Sequence, residues 1–584
     1  MLNEKQYPGK VISLVDLFLK EQAQTAVERF SGLHDLNLFS NRPFYKDLIP
    51  LENPRPGQQF AFEVDLDKCT GCKACVTACH NLNGLDTGET WRSVGLIHDS
   101  RAVPPPKPRF PRITFTEFEQ PSLPELIIPL KSQPAPLQMN VTTACHHCVE
   151  PGCLAGCPVK AYEKDPRTGI VKHLDDQCIG CKYCILMCPY EAPQYNAKQG
   201  IVRKCDMCSS RLAAGEAPAC VQSCPTQAIR ITLVETAGVR QNPAHYIDIP
   251  GAPDSQFTLP TTRFKTGRDL PATMQAADHH AIKAGAPEYP LMFMLVLMQL
   301  AVGAFLFEFI LEGLFQFGLV DAFAPFLTLA AFISGATGLA VAQLHLGRPL
   351  YAFRAFLGLK TSWLSREAMA GLAFMGLAAL YTALHWFAPG QSFIPLDAVE
   401  TTTGLLLMVS AGLFVASSAM VYRATPRPLW RSQRTTLKFF STAIILGAST
   451  FLFSAAVSGL NVAHLMRDFG SVVAGLLMAA SAVKLVIAYR FLAHLKDKEL
   501  TSLKKSAWLM QNVFGSVTHI SLVSGLMGGV LLPIALIVNT STVGAVVIAT
   551  LCFILTLTAE FSERYLFFTC AVSPKMPGAP TGKR

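Results

Sequence analysis

The chain has 584 residues, half of them apolar and only 16% charged, with a formal net charge of +9 and eighteen cysteines. That length exceeds one ordinary core, so two or more domains are expected. No basic patch is interleaved with aromatics, so the positive balance gives no ground for a nucleic-acid partner. The composition is also segregated: sixteen cysteines lie between Cys69 and Cys224, and most of the long apolar runs follow residue 290.

Residues 1–60 carry no cysteine and read as an amphipathic helix over about 11–31 followed by a proline-containing arm, suited to packing on another subunit. The first thirty residues hold charges throughout and lack a continuous apolar core or a small-residue cleavage site, which argues against a secretory signal. A disulfide framework is disfavoured for the same reason, since such frameworks staple short secreted chains.

Four groups of four cysteines follow: Cys69, Cys72, Cys75 and Cys79; Cys145, Cys148, Cys153 and Cys157; Cys178, Cys181, Cys184 and Cys188; Cys205, Cys208, Cys220 and Cys224. The first and third are complete CxxCxxCxxxC runs, and in every group but the first a proline follows the last cysteine. In such runs three cysteines on one loop grip a cubane cluster while the fourth reaches a neighbouring one, so the groups work in pairs. Zinc ribbons pair two CxxC knuckles and have no use for a third cysteine two residues on. A cubane with four thiolates carries about −2 when oxidised, so four would offset about eight of the positive charges.

This pattern resembles the four-cluster electron-transfer subunits of the molybdopterin oxidoreductases of the dimethyl sulfoxide reductase type, over roughly residues 60–235. The resemblance implies that the first group pairs with the last and the two middle groups with each other. One cluster would then be held by Cys69, Cys72, Cys75 and Cys224, and its neighbour by Cys205, Cys208, Cys220 and Cys79. The middle pair would use Cys145, Cys148, Cys153 and Cys188, and Cys178, Cys181, Cys184 and Cys157. Nitrate reductase relatives replace one third-group cysteine; Cys181 is present here, which implies four 4Fe-4S clusters. No nucleotide fingerprint or nucleophile–base set accompanies them. His146 and His147, beside Cys145, read as hydrogen-bonding side chains rather than ligands.

Residues 100–140 are proline-rich, with a short strand expected at RITFTEF, and 236–289 read as an extended linker. Eight apolar stretches then follow, at about 291–312, 323–345, 367–388, 402–422, 439–460, 470–490, 514–538 and 543–562, each near the ~20 residues that cross a bilayer. Lys and Arg concentrate in the loops on the head side, such as Arg348, Arg354, Lys360 and Arg366, whereas the far side shows Arg467. By the positive-inside rule the head and the C-terminus face the cytoplasm of an inner membrane.

Residues 345–367, HLGRPLYAFRAFLGLKTSWLSRE, and most of 290–570 resemble the eight-helix quinol-oxidising anchor of dimethyl sulfoxide reductase, normally a separate chain. The resemblance implies a quinol site at His345 and Glu367, whose imidazole and carboxylate suit proton acceptance. The bland alternative has Ser365 capping the third span with Glu367 in its first turn, and His345 snorkelling. Haem would need two imidazoles on facing helices; His519 could oppose His345, while His385 and His464 lie towards the far side. Lys484 falls inside the sixth span, where its stem can snorkel to the head side.

The expected architecture is an N-terminal helix and arm (1–60), an α+β ferredoxin-like head of two double-cluster modules (61–235), a linker (236–289), an all-α eight-helix transmembrane bundle (290–570) and a basic tail (571–584). The expected function is a membrane electron-transfer subunit. It would take electrons from menaquinol or ubiquinol in the quinone pool and pass them to a separate molybdopterin-containing catalytic subunit. That partner would reduce a cytoplasmic S-oxide, N-oxide, nitrate or other oxyanion. A free-standing quinol-linked polyferredoxin and reverse flow from a dehydrogenase to quinone are the alternatives.

Overall fold

The computed structural model describes residues 44–100, 137–314, 323–387, 396–458, 470–539 and 541–578, with Glu28 and Ser31 besides. The helix expected over 11–31 and the strand expected at RITFTEF lie outside the described residues, apart from Glu28 and Ser31.

Sheet content in the head is small. Strand β1 (Gln58–Asp65) is central, antiparallel to β8 (Ile229–Glu235) and parallel to β9 (Arg263–Lys265), and it is buried on both faces. A second sheet joins β2 (Ser93–Asp99) to β3 (Gln138–Thr143) and to β10 (Met274–Ala276). Burial alternates along β2 at Gly95, Ile97 and Asp99, the period-two pattern of a strand with one covered face. Two short hairpins, β4 (Tyr162–Lys164) with β5 (Val171–His173) and β6 (Gln194–Asn196) with β7 (Ile201–Arg203), complete the ferredoxin-type part.

Two segments pack more closely than the extended linker and basic tail expected of them. Residues 236–289 supply β9 and β10, and Thr258, Thr261 and Thr262 are buried against the head. In the segment after 570, Met576 is buried in the head core. Leu96 N–H donates to the Gly578 carbonyl at 3.1 Å, and Lys575 meets Asp278 at 2.5 Å. Both segments satisfy strand edges and buried carboxylates that composition alone does not reveal.

Eight helices are long and apolar enough to cross a membrane: Tyr289–Glu312, Ala324–Gln343, Trp363–Phe387, Ala398–Arg423, Gln433–Val457, Ser471–Lys496, Gly515–Val538 and Thr542–Thr569. The first and fifth are mostly buried, at 83% and 72%, and form the centre of the bundle. They cross closely because both present glycine: a Cβ on Gly303 would overlap the Ala443 carbonyl oxygen. Leu405, Val409 and Leu413 on the fourth span, and Val543, Val547 and Ile554 on the eighth, stay exposed, as a lipid-facing surface requires.

The head sits on the loop between the second and third spans. Gly358 N–H donates to Pro158 O at 2.7 Å, Ser362 Oγ to Gly156 O at 2.7 Å, and Arg348 N–H to Ile179 O at 3.1 Å. Arg348 and Arg354 also reach the Asp175 and Asp176 carbonyls at 3.0 and 2.8 Å, so these two loop cations hold the head as well as marking topology.

Candidate functional site

All eighteen cysteines are free thiols, and Cys552 and Cys570 are core residues of the bundle region. The other sixteen are placed by turns and short helices. The third residue of the opening CxxC in each group has a left-handed backbone: Gly71 (φ 73°), His147 (41°), Gly180 (70°) and Met207 (59°). Such a turn points successive N–H groups inward, making a concavity for an anion. Short helices that begin beyond each turn, Ala74–Leu82, Gly152–Gly156, Tyr183–Met187 and Ala219–Gln222, carry Cys75 and Cys79, Cys153, Cys184 and Cys220.

The thiols that crowd one another follow from these placements. Burial raises Cys69, and Cys75, Cys224 and Cys72 add to it. Burial pushes Cys79 up to about 12, with Cys220 and Cys208 beside it. Burial likewise raises Cys153, with Cys145, Cys188 and Cys148 adjoining, and Cys184, with Cys181, Cys157 and Cys178 adjoining. Cys205 lies next to Cys79 and also next to Cys145, and Cys75 lies next to both Cys220 and Cys224. Two small cavities are lined by Cys69, Cys72, Cys75 and Cys224 and by Cys145, Cys148, Cys153 and Cys188.

The surroundings fit anionic iron–sulfur groups. Backbone N–H groups of Ala161, Gly180, Met207 and Ala228 donate to the sulfurs of Cys157, Cys178, Cys205 and Cys224 at 3.2–3.4 Å. Arg92 and Lys204 are buried among the cysteines at 2% exposure each. Burial pulls Arg92 down, but the thiolates Cys220, Cys75 and Cys205 raise it overall. Two buried cations beside thiols are costly unless an anion is shared. His147 Nδ1 accepts from Val171 N–H at 3.1 Å, so its neutral ring carries the proton on Nε2, which is buried without a partner. Burial lowers His146 to about 3 and holds it neutral; its Nδ1 meets Thr262 Oγ1 at 2.8 Å and its Nε2 is likewise orphaned. Among the described residues no three His, Cys, Asp or Glu side chains converge on one ion position. Thiolates around a single zinc must converge at ~2.3 Å from it, whereas those of a cubane bind separate irons.

The third cysteine group meets the membrane. His345, 8% exposed in its side chain, places Nε2 at 3.0 Å from the Cys181 carbonyl and Nδ1 at 3.2 Å from Glu288 Oε2. Both ring nitrogens face oxygen acceptors, and a neutral imidazole donates to one of them at a time. The hydrogen bond from His345 lowers Glu288, whose carboxylate also lies 3.8 Å from Lys182 Nζ. Glu288 had no motif around it, and its proximity to His345 arises from the way 236–289 folds back.

Glu367 is buried with Oε1 unpaired, in the second turn of a helix that starts at Trp363. The capping alternative is not what the structure shows: Ser365 lies inside that helix, and its Oγ donates to the Pro158 and Ala355 carbonyls. Tyr183, next to Cys184, donates to Val421 O at 2.8 Å; burial and then Glu367 raise its phenol. His345 and Glu367 thus both border the Cys181–Cys184 turn. His519 is exposed and both His345 nitrogens are engaged; His385 lies 3.0 Å from Glu308, and His464 is outside the described residues. Lys484 does not snorkel: it is buried and meets Glu560 at 2.5 Å.

Comparison with known proteins divides the sequence in the same way. A "4Fe-4S binding domain" family matches residues 60–81, a "4Fe-4S dicluster domain" family matches 138–233, and the "DMSO reductase anchor subunit" family matches 282–570. YnfG of Escherichia coli, a probable anaerobic dimethyl sulfoxide reductase component, is 33% identical over 212 residues, 35% of this protein and 88% of that one. The B component of the anaerobic dimethyl sulfoxide reductase of Haemophilus influenzae is 28% identical over 211 residues, 36% of this protein and 91% of that one. The formate dehydrogenase-O iron-sulfur subunit of Escherichia coli is 34% identical over 191 residues, covering 32% and 58%.

Proposed function

The chain belongs to the family of dimethyl sulfoxide reductase iron-sulfur subunits, fused to an anchor subunit, and on that premise we propose that it oxidises quinol in the membrane and delivers the electrons to a molybdopterin-containing catalytic subunit. The single observation that carries this reading is the contact of His345 with the Cys181 carbonyl, which joins the anchor to the cysteine-rich head.

Four 4Fe-4S clusters would be held by Cys157, Cys178, Cys181 and Cys184; by Cys145, Cys148, Cys153 and Cys188; by Cys79, Cys205, Cys208 and Cys220; and by Cys69, Cys72, Cys75 and Cys224. The adjacency of the thiols within each set supports the assignment. Such groups, when bound, supply single-electron transfer. The order given is the order of the path: the first set lies at the bundle, the second and third meet at Cys145 and Cys205, and the third and fourth at Cys220 and Cys75. Cys72 is exposed, which suits an exit towards another protein.

Oxidation of quinol to quinone releases two electrons and two protons. Glu367 Oε1, buried and unpaired, is placed to take one proton. The His345–Glu288 pair is placed to take the other, and the Glu288 side chain, 29% exposed, opens that pair towards solvent. The lysine- and arginine-rich head-side loops support a cytoplasmic head on an inner membrane, so that protons released there are consumed by reduction on the same side. Menaquinol and ubiquinol both meet these requirements.

The test is Glu367→Gln in the intact complex, with cluster reduction by a quinol analogue followed spectroscopically. Reduction slows sharply while dithionite still reduces the clusters; unchanged quinol kinetics would return Glu367 to a packing role. Isolation of the protein from native membranes with a large second subunit and molybdenum checks the partner.

A further inference from the structure

A cavity of about 330 Å³ lies at the head-side end of the last four spans, away from His345 and Glu367. Arg434 and Lys438 of the fifth span, Phe491 at the end of the sixth, Leu522 of the seventh and Glu563 and Phe567 of the eighth border it. Beyond Lys438 and Glu563 lies a smaller space of about 50 Å³ bordered by Lys484, Thr556 and Glu560 as well as by apolar side chains.

The charges do not balance. Lys438 meets Glu563 at 3.0 Å and Lys484 meets Glu560 at 2.5 Å, so both carboxylates are engaged. Arg564, fully buried behind the floor, shares Glu563 at 3.2 Å and otherwise rests on Gln299 and Thr442. Arg434 stands exposed at the mouth with no carboxylate partner among the described residues. His494 on the rim is matched by Asp497 at 2.9 Å. Lys438 and Lys484 therefore face the two carboxylates, and Arg434 at the mouth is the cation left over along the cavity. Thr435, Thr518 and Ser521 already donate to backbone carbonyls, and Arg434 and Lys438 are the charged donors open to a ligand.

We propose that this cavity holds one anionic phospholipid, its phosphate on Arg434 and Lys438 and part of an acyl chain against Phe491, Leu522 and Phe567. The mouth is level with the span ends at Gln433, Lys496, Gly515 and Thr569, so it opens at headgroup depth. Basic pockets between spans at this level suit anionic lipid headgroups, and apolar walls below them suit an acyl tail. A neutral lipid would leave Arg434 at the mouth without an anionic partner.

The experiment uses the full-length protein with its bound partners, delipidated in mild detergent. Phosphatidylglycerol, phosphatidylcholine, inorganic phosphate and a short-chain quinone are each added, with retention read by native mass spectrometry and the thermal midpoint recorded. Phosphatidylglycerol is expected to be retained over phosphatidylcholine, and each cation removed, by Arg434→Gln or Lys438→Gln, lowers that preference roughly fivefold. Lys438→Gln strips Glu563 of an ammonium, so Arg434→Gln, at the exposed mouth, decides the matter if the other variant misfolds. Equal retention of the two lipids overturns the proposal. So does an equal midpoint rise from inorganic phosphate alone, which makes the site one for a free anion, or displacement of phosphatidylglycerol by the quinone, which makes it a quinone site.

Discussion

The loops CTGCKAC at residues 69–75 and CIGCKYC at 178–184 have the same spacing, the same left-handed glycine and the same left-handed lysine, Lys73 and Lys182. Their surroundings differ completely. Cys72 is exposed and Cys69 half-buried, whereas Cys178 and Cys184 are buried and Cys181 packs against the membrane core. A Cβ on Gly71 would press first on the Asn140 side chain, while one on Gly180 would overlap the Gly200 backbone oxygen and stand 2.9 Å from Gly347 Cα. Equal local geometry thus sits in two settings: one covered by the anchor, the other open to solvent.

The largest test of that contrast is the pair Cys72→Ser and Cys181→Ser. The first should abolish electron delivery to the partner while quinol still reduces the remaining clusters; the second should abolish both, as read by EPR and steady-state turnover. If both variants lose quinol-dependent reduction alike, the terminals are not distinct.

Glycine substitution sharpens the same comparison. Alanine at either left-handed position costs about 1–2 kcal/mol. Gly180→Ala adds backbone overlap with Gly200 and Gly347, worth roughly 1–3 kcal/mol more, and should loosen the head from the bundle. Thermal unfolding and limited proteolysis of the two variants would show the difference, and equal destabilisation would contradict tight docking at Gly180.

A third expectation concerns acid. His345 holds Glu288 below the usual glutamate value of 4.5. A carboxylate depressed in the folded state stabilises above its unfolded value and loses that contribution as pH falls through the folded one. The head–bundle contact therefore weakens below about pH 4.5, and Glu288→Gln lacks that part of the acid dependence. An identical acid limb in wild type and variant would remove Glu288 from the account. The smallest effect is expected from Arg348→Ala or Arg354→Ala, each losing hydrogen bonds to head carbonyls that lie near solvent, about 0.5–1.5 kcal/mol in denaturation midpoints.

Much of this was legible in the sequence because it is written at short range. Cysteines two or three residues apart share a loop whatever surrounds them, and an apolar run either spans hydrocarbon or does not. Both resemblances rested on such runs, and the eight spans stand within a few residues of where their apolar stretches lie, although the third begins four residues earlier and so moves Glu367 off the helix start.

By itself, then, the sequence determined a cysteine-rich head, an eight-span tail and the thiols for electron transfer, since ligand spacing and hydrocarbon thickness are local, one-dimensional constraints. Tertiary structure alone decided which charges are shared. His345 finds Glu288 across 57 residues and Lys484 finds Glu560 across 76. Arg92 and Lys204 enter the cysteine core, and residues 236–289 and the segment after 570 close onto the head. A buried charge is stable only beside its counter-charge, and that partner is chosen by how distant segments pack, which no local pattern records.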